Sequence, residues 1–217
     1  MRVTQLQKIT DRKYKVCLED GTSFPLGAGE IKKYHICQDE EISDDVLREL
    51  LDEVLTRRAK LRCLNLLKSM DRTEGQLRER LSRDGYPETI TDRAIAYAAS
   101  YHYIDDHRYA CSYIRQMSGR KSRLQIGSDL RQKGIDSDKI RRAFADVALE
   151  EGFSQTQEDP DVTAIRTLAR KRGFDPRQAD RDTCGKFVRY LLRKGFRYSS
   201  VRQALGRLPF EDPGSES

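Results

Sequence analysis

One pattern occurs three times in this chain and limits what it can fold into. An apolar residue is followed four positions later by leucine, four positions after that by glycine, and then directly by another apolar residue. Apolar residues four apart share a helix face, and glycine adopts the left-handed conformation that ends a helix. The copies read "LRERLSRDGY", "IGSDLRQKGI" and "FVRYLLRKGF", starting at Leu77, Ile126 and Phe187. The pattern predicts three helices that end in the same way.

Each of these helices is predicted to be the middle one of three. A hydroxyl residue stands four positions before each first apolar residue, at the expected N-cap: Thr73, Ser122 and Thr183. In the first two copies Gln76 or Gln125 follows three positions later and completes a capping box. Apolar segments with helical spacing precede the cap and follow the glycine. Since such short units bury little surface alone, we predict a mainly α fold in which three tandem three-helix repeats form an elongated array.

The first forty residues differ from the repeats. "TQLQKI" and "YKVCLEDGTSFPL" alternate apolar and polar residues around Asp20–Gly21, which predicts a small β-hairpin-containing element of two or three strands. "GEIKKYHI" then predicts a short helix, and a long helix with room for one break is expected to start at Ser43.

These features divide the chain into six segments. They are the N-terminal element (1–42), the linking helix with repeat 1 (43–104), repeat 2 (105–151), a polar linker (152–160), repeat 3 (161–208) and a tail (209–217).

Charge is distributed unevenly along the chain. The net charge is −4 over residues 1–56, +4 over 57–159 and +6 over 160–217. A basic surface attracts phosphates or acidic protein surfaces, so we expect the partner to be of that kind.

Neither a membrane segment nor a disulfide framework is expected. No stretch approaches eighteen apolar residues, and the start "MRVTQLQKIT" lacks the apolar core of a secretory signal, which favours a cytoplasmic protein without membrane contact. The five cysteines form an odd set without a CxxC spacing, so we interpret them as reduced structural thiols.

Basic clusters in the second and third repeats are the candidates for partner binding. They lie in "GRKSR", on both sides of the second glycine, where Lys133 precedes it and Arg141–Arg142 follow in the next predicted helix, and in "RKGFR" around the third. Arginine forks and lysine charges both bind phosphates and carboxylates, although solvated surface is the simpler explanation of such runs. The nine candidate residues are Arg120, Lys121, Arg123, Lys133, Arg141, Arg142, Arg193, Lys194 and Arg197.

Other polar residues point to structural roles. Asp105 and Asp106 precede a predicted helix and are expected to cap it rather than to form a catalytic pair. His102 and His107 do not share a helix face, and no second cluster supplies ligands, so no metal site is predicted. There is no GxSxG, Walker or HExxH motif, and we predict neither an enzyme nor a cofactor.

Five tyrosines occur close together, and two explanations stay open for them. Helical spacing favours packing between repeats, whereas stacking on nucleobases is the alternative. They are Tyr97, Tyr101, Tyr103, Tyr109 and Tyr113.

The segment "YHYIDDHRYACSYI" (Tyr101 to Ile114), followed by "SRLQIGSDLRQKGI" (Ser122 to Ile135), resembles the RecX family of RecA regulators. The similarity covers about Arg57 to Leu208; the third copy departs from it in lacking the capping glutamine and in carrying a longer loop. The resemblance implies a non-enzymatic modulator, mostly an inhibitor, that binds RecA filaments on single-stranded DNA. It further implies reduced ATP hydrolysis, strand exchange and co-protease activity, and hence a role in homologous recombination, DNA repair and the SOS response.

Partners expected on this basis are the RecA filament, single-stranded DNA and, secondarily, double-stranded DNA, bound by a monomer. A different class stays open, because three-helix units also resemble helix-turn-helix domains: a helical-repeat protein that binds DNA or RNA directly. A purely structural scaffold with another acidic partner is the third alternative.

Overall fold

The structure, a computed structural model, describes residues 1–150 and 159–206 and is mainly helical with one small sheet. Its three antiparallel strands, β1 (Val3–Thr10), β2 (Lys13–Leu18) and β3 (Ser23–Gly27), lie in chain order. Asp20 accepts the backbone N–H of Thr22 at 2.8 Å, and Gly21 has a φ of +84° in the β2–β3 turn. The fold class and the turn predicted at this dipeptide are confirmed.

Helices connect the sheet to the first repeat. Helix α1 (Ala28–Lys33) matches the short predicted helix. A continuous helical stretch then begins after Ser43, whose Oγ accepts the N–H of Val46 at 3.4 Å. Its parts are α2 (Asp44–Arg48), a π-helical segment (Glu49–Leu55) and α3 (Thr56–Ser69). The one irregularity in the predicted long helix is therefore a π-helical segment, not a break.

The remaining helices complete three units of three, α3–α5, α6–α8 and α9–α11. They are α4 (Glu74–Arg83), α5 (Glu88–Ser100), α6 (Asp106–Met117), α7 (Arg123–Gln132), α8 (Ser137–Glu150), α9 (Pro160–Lys171), α10 (Arg181–Arg193) and α11 (Tyr198–Leu205). The middle helices end at Gly85, Gly134 and Gly195, with φ of +92°, +84° and +80°. The apolar residue after each glycine donates its N–H back to the leucine carbonyl of the pattern, at 3.1–3.2 Å. The predicted helix ends are confirmed.

The helix starts follow the prediction only in part. Thr73 and Gln76 form the full capping box of α4. Ser122 caps α7 by accepting the Gln125 N–H at 3.1 Å, but the Gln125 side chain donates to Asp129 instead of returning to the cap. The prediction for Thr183 is wrong: Asp180 accepts the N–H of Thr183 at 2.7 Å, which lets α10 start one turn earlier.

The described chain forms two compact units. The first comprises residues 1–106, where the sheet and the first repeat share one core that includes Val3, Phe24 and Leu77. The second begins at His107 and contains one core in repeat 2, around Ile126, and one in repeat 3, around Leu191. The segment 152–158 of the predicted linker, the end of repeat 3 from 207 and the tail lie outside the described residues.

An aspartate near the start of a repeat's first helix caps the middle helix of the preceding repeat. Asp106, the first residue of α6, accepts the N–H of Glu74 at 2.9 Å. Asp161, in the first turn of α9, accepts the N–H of Arg123 at 2.9 Å. Helix α6 starts at the predicted Asp105–Asp106 pair, and the Asp106 carboxylate caps α4, a contact that the sequence did not predict.

Candidate functional site: an arginine-lined cleft

The two units differ in charge. Residues 1–106 contain 18 basic and 20 acidic residues, a net charge of −2, whereas residues from 107 onward contain 23 and 15, a net charge of +8. An anionic partner is therefore attracted mainly to the second unit.

Within the second unit, a cleft of about 500 Å³ lies where repeat 2 meets repeat 3. Its walls come from α7, from α8, from the start of α9 and from the α10–α11 turn. Its basic lining residues are Arg123, Arg131, Arg141 and Arg197. The structure thus brings together three of the nine candidates, Arg123, Arg141 and Arg197.

Part of the lining is apolar. Leu124, Ile140 and Phe144 line the cleft, and Leu124 is 64% exposed. The Arg123 guanidinium lies 4.4 Å from the Phe144 ring centroid, a cation–π contact that fixes its plane beside the apolar surface. The cleft therefore offers arginine forks next to an apolar patch.

Two carboxylates also line the cleft, but both are used in holding the repeats together. Asp161 is 8% exposed and caps α7 by accepting the N–H of Arg123. Burial raises the pKa of its carboxyl, while the hydrogen bond from Arg123 and the charge of Arg197 act to lower it. Asp159 caps α9 through the N–H of Asp161 at 3.0 Å and accepts the Ser200 hydroxyl at 2.8 Å. Since these contacts use part of the hydrogen-bonding capacity of the two carboxylates, the arginines are the main groups in the cleft for binding a partner.

The two repeats pack closely where Gly195 lines the cleft. The Ser122 hydroxyl is fully buried and donates to the backbone carbonyl of Lys194 at 2.9 Å. Gly195 follows directly, and a Cβ at this position would lie 2.9 Å from the Ser122 Oγ. The glycine that ends α10 therefore also allows repeat 3 to approach repeat 2.

Six candidates lie outside the cleft. The Lys121 ammonium pairs with Asp129 at 2.6 Å, and hydrogen bonds to Asp129 and Tyr113 raise its pKa. Lys133 lies 5.5 Å from the ring centroid of Tyr113 and 5.8 Å from that of Tyr109, and Lys194 lies 5.8 Å from that of Tyr190. Arg120 and Arg142 are exposed. Arg193 lies with Lys186 and Arg189 on one face of α10, and these three residues form a basic stripe.

Arg131 is a cleft residue that the sequence analysis missed. It lies eight residues after Arg123 and four after Gly127, so the three positions share one face of α7. This spacing is present in the sequence, but Arg131 stands alone and not in a run of consecutive basic residues.

The described residues provide little for other chemistries. In residues 1–150 and 159–206 there is no group of three or more His, Cys, Asp or Glu side chains placed to hold a metal ion. No helix in those ranges is long and apolar enough to span a bilayer. What the cleft can do is bind an anionic group through arginine and an apolar group beside it.

Comparison with known proteins gives matches over both units. Residues 59–97 match the model of the RecX first three-helix domain, and residues 105–143 match that of the second. "Regulatory protein RecX" of Clostridium botulinum (strain Alaska E43 / Type E3) is 27% identical over 208 residues, which cover 93% of this chain and 92% of the relative. The protein of the same name from Streptococcus pneumoniae (strain Hungary19A-6) is 29% identical over 210 residues, covering 96% and 77%.

Solved structures show the same fold. One titled "Crystal structure of regulatory protein RecX" superposes with a TM-score of 0.58 at 23% identity and covers 94% of this chain and 98% of its own. RecX from Lactobacillus salivarius superposes with a TM-score of 0.53 at 24% identity, covering 69% and 94%.

Proposed function

Because this chain belongs to the RecX family of regulatory proteins, we propose that it is a non-enzymatic regulator, mostly an inhibitor, of RecA. In this proposal a cytoplasmic monomer binds the RecA filament on single-stranded DNA. It reduces ATP hydrolysis there, and with it strand exchange and co-protease activity.

The observation that carries the proposal is the mixed lining of the cleft. Arg131 and Arg197 supply guanidinium forks for carboxylates, and Arg141 adds a third guanidinium, which pairs with Asp138 at 2.7 Å. Leu124 and Phe144 supply apolar surface. A DNA backbone offers phosphates but few apolar groups that would cover a leucine. An acidic protein segment with an apolar side chain uses both parts of the lining, which favours the protein of the filament over naked DNA as the partner.

The direct test is the steady-state ATPase of RecA on single-stranded DNA as this protein is titrated in, with binding to the same DNA measured separately in the same buffer. Inhibition at substoichiometric protein, at concentrations well below those that occupy the naked DNA, is the expected result. Inhibition only at concentrations that saturate the DNA would mean competition for the DNA, and would contradict the proposal.

A basic stripe on α10 supports the alternative function, direct binding to nucleic acid. Lys186, Arg189 and Arg193 line a shallow depression of about 380 Å³ and recur at helical spacing on one face. Three phosphate contacts to single-stranded DNA would give a slope of log K against log salt of about −2. Tight binding to naked DNA with such a slope, lost on replacing these three residues, would establish this alternative.

A further inference from the structure

In the first unit, two exposed tyrosines and a half-buried third form a strip at the end of α5. Tyr101 and Tyr103 are 56% and 51% exposed, so neither side chain is buried in a core. Their rings are nearly parallel, 15° apart, with centroids separated by 5.8 Å. The Tyr97 ring lies 5.0 Å from that of Tyr101 and continues the strip along α5. Exposed aromatic rings that stack on one another are unusual on a surface that only faces water.

The backbone holds this strip in place. Helix α5 ends with His102 in the left-handed conformation, at a φ of +57°. The His102 N–H donates to the Ala99 carbonyl at 2.9 Å, and the Tyr103 N–H donates to the Ala98 carbonyl at 3.1 Å. This closure turns Tyr103 back onto Tyr101. A residue other than glycine is strained in this conformation, and such strain is often retained at functional sites.

One cation of α3 lies beside the strip, and two more share its face of that helix. The Lys60 ammonium is 4.7 Å from the Tyr97 ring centroid. Arg57 and Lys68 lie on the same face of α3 at helical spacing, and both are exposed. No described carboxylate forms an ion pair with any of these three side chains, in contrast to Arg58 and Arg62, which are paired with Glu30 and Asp84.

We propose that this surface binds single-stranded nucleic acid, with bases stacked on Tyr101 and Tyr103 and phosphates held by Arg57, Lys60 and Lys68. Stacking suits every base, because every base has a π face, and the neighbouring cations follow the backbone. The net charge of −2 on this unit means that general electrostatic attraction does not bring nucleic acid here. Stacking must therefore supply a large share of the affinity, which separates this site from the arginine-lined cleft.

The test compares two single-stranded probes of equal length, a fluorescent oligothymidylate and an abasic oligomer with the same backbone. Binding to the full chain is measured by anisotropy with no recombinase present, so the result does not depend on the proposed function. Replacing both rings, Y101L/Y103L, is expected to weaken oligothymidylate binding about tenfold or more and to leave the abasic probe unchanged. The matched control Y101F/Y103F retains the rings and is expected to bind as the unmodified protein does.

Equal weakening on both probes, or no weakening on either, would overturn the proposal. If oligothymidylate binding stays constant while Y101L/Y103L loses inhibition of RecA, the strip is a protein-docking surface and the proposal fails. The cations are tested separately with K60Q/K68Q, which is expected to make the salt slope for both probes shallower by about 1.4. An unchanged slope would remove α3 from the site. Circular dichroism melts check that each variant folds, as expected for exposed side chains.

Discussion

The approach of repeat 3 to repeat 2, which builds the cleft, leads to a prediction about two glycines. Gly195 and Gly173 both follow a helix with a positive φ, +80° and +62°. Their surroundings differ: a Cβ on Gly173 meets nothing within 4 Å, whereas a Cβ on Gly195 lies 2.9 Å from the Ser122 Oγ. G173A is therefore a matched control for G195A.

The difference in their effects can be worked out from these contacts. Alanine in the left-handed conformation costs about 1 kcal/mol at either position. In G195A the Ser122 Oγ must also move, which weakens its cap on the Gln125 N–H at 3.1 Å and its bond to the Lys194 carbonyl at 2.9 Å. A lost cap costs about 1 kcal/mol, and a buried hydroxyl left without its partner costs about 1 kcal/mol more. We expect a destabilisation of about 3 kcal/mol for G195A and about 1 kcal/mol for G173A.

Equilibrium urea unfolding followed by circular dichroism measures both values. Because both glycines lie in the second unit, they are compared within the same transition. Equal destabilisation by the two substitutions would refute the close packing of Gly195 on Ser122, and with it the geometry of the cleft.

Three further predictions concern stability. Removing either inter-repeat cap, with D106A or D161A, should cost about 1 kcal/mol in urea unfolding, and an unchanged midpoint would contradict the capping role. Burial raises the pKa of Asp129, but hydrogen bonds led by that of Lys121 outweigh it and hold the pKa below its usual value. Its stabilising contribution is then complete at neutral pH and is lost as pH falls through the lowered native pKa, so the stability gap between wild type and D129N should narrow below about pH 4. A gap independent of pH would argue against that network. G134V should cost about 1 kcal/mol or more in a thermal melt, since a β-branched residue is strained at a φ of +84°.

Local signals made much of the fold predictable. The glycine after each middle helix, the caps at Thr73 and Ser122 and the Asp20–Gly21 turn depend on neighbours in the chain, and the structure confirms them. The cap of α10 was not predicted correctly because Thr183 and Asp180 are both good cap residues three positions apart. Only the structure shows that Asp180 is used.

Contacts between distant residues were not predictable in this way. The hydrogen bond from Arg123 to Asp161 joins residues 38 positions apart, and that from Ser122 to Lys194 joins residues 72 apart. Helical periodicity shows which residues face a core, but not which repeat covers them. For this reason the sequence pointed to Arg123, Arg141 and Arg197 separately, as parts of basic runs, without showing that they line one cleft.

The measurement that tests the central claim most directly compares two charge-reversed variants in the RecA ATPase assay. R141E/R197E changes two arginines of the cleft. R170E/R177E changes two exposed arginines of the same unit that do not line it, with the same change in net charge. The account predicts that R141E/R197E requires at least tenfold more protein for half-inhibition, while R170E/R177E behaves like wild type. Equal loss in both variants would show that only net charge matters, and full inhibition by R141E/R197E would show that the cleft is not the contact.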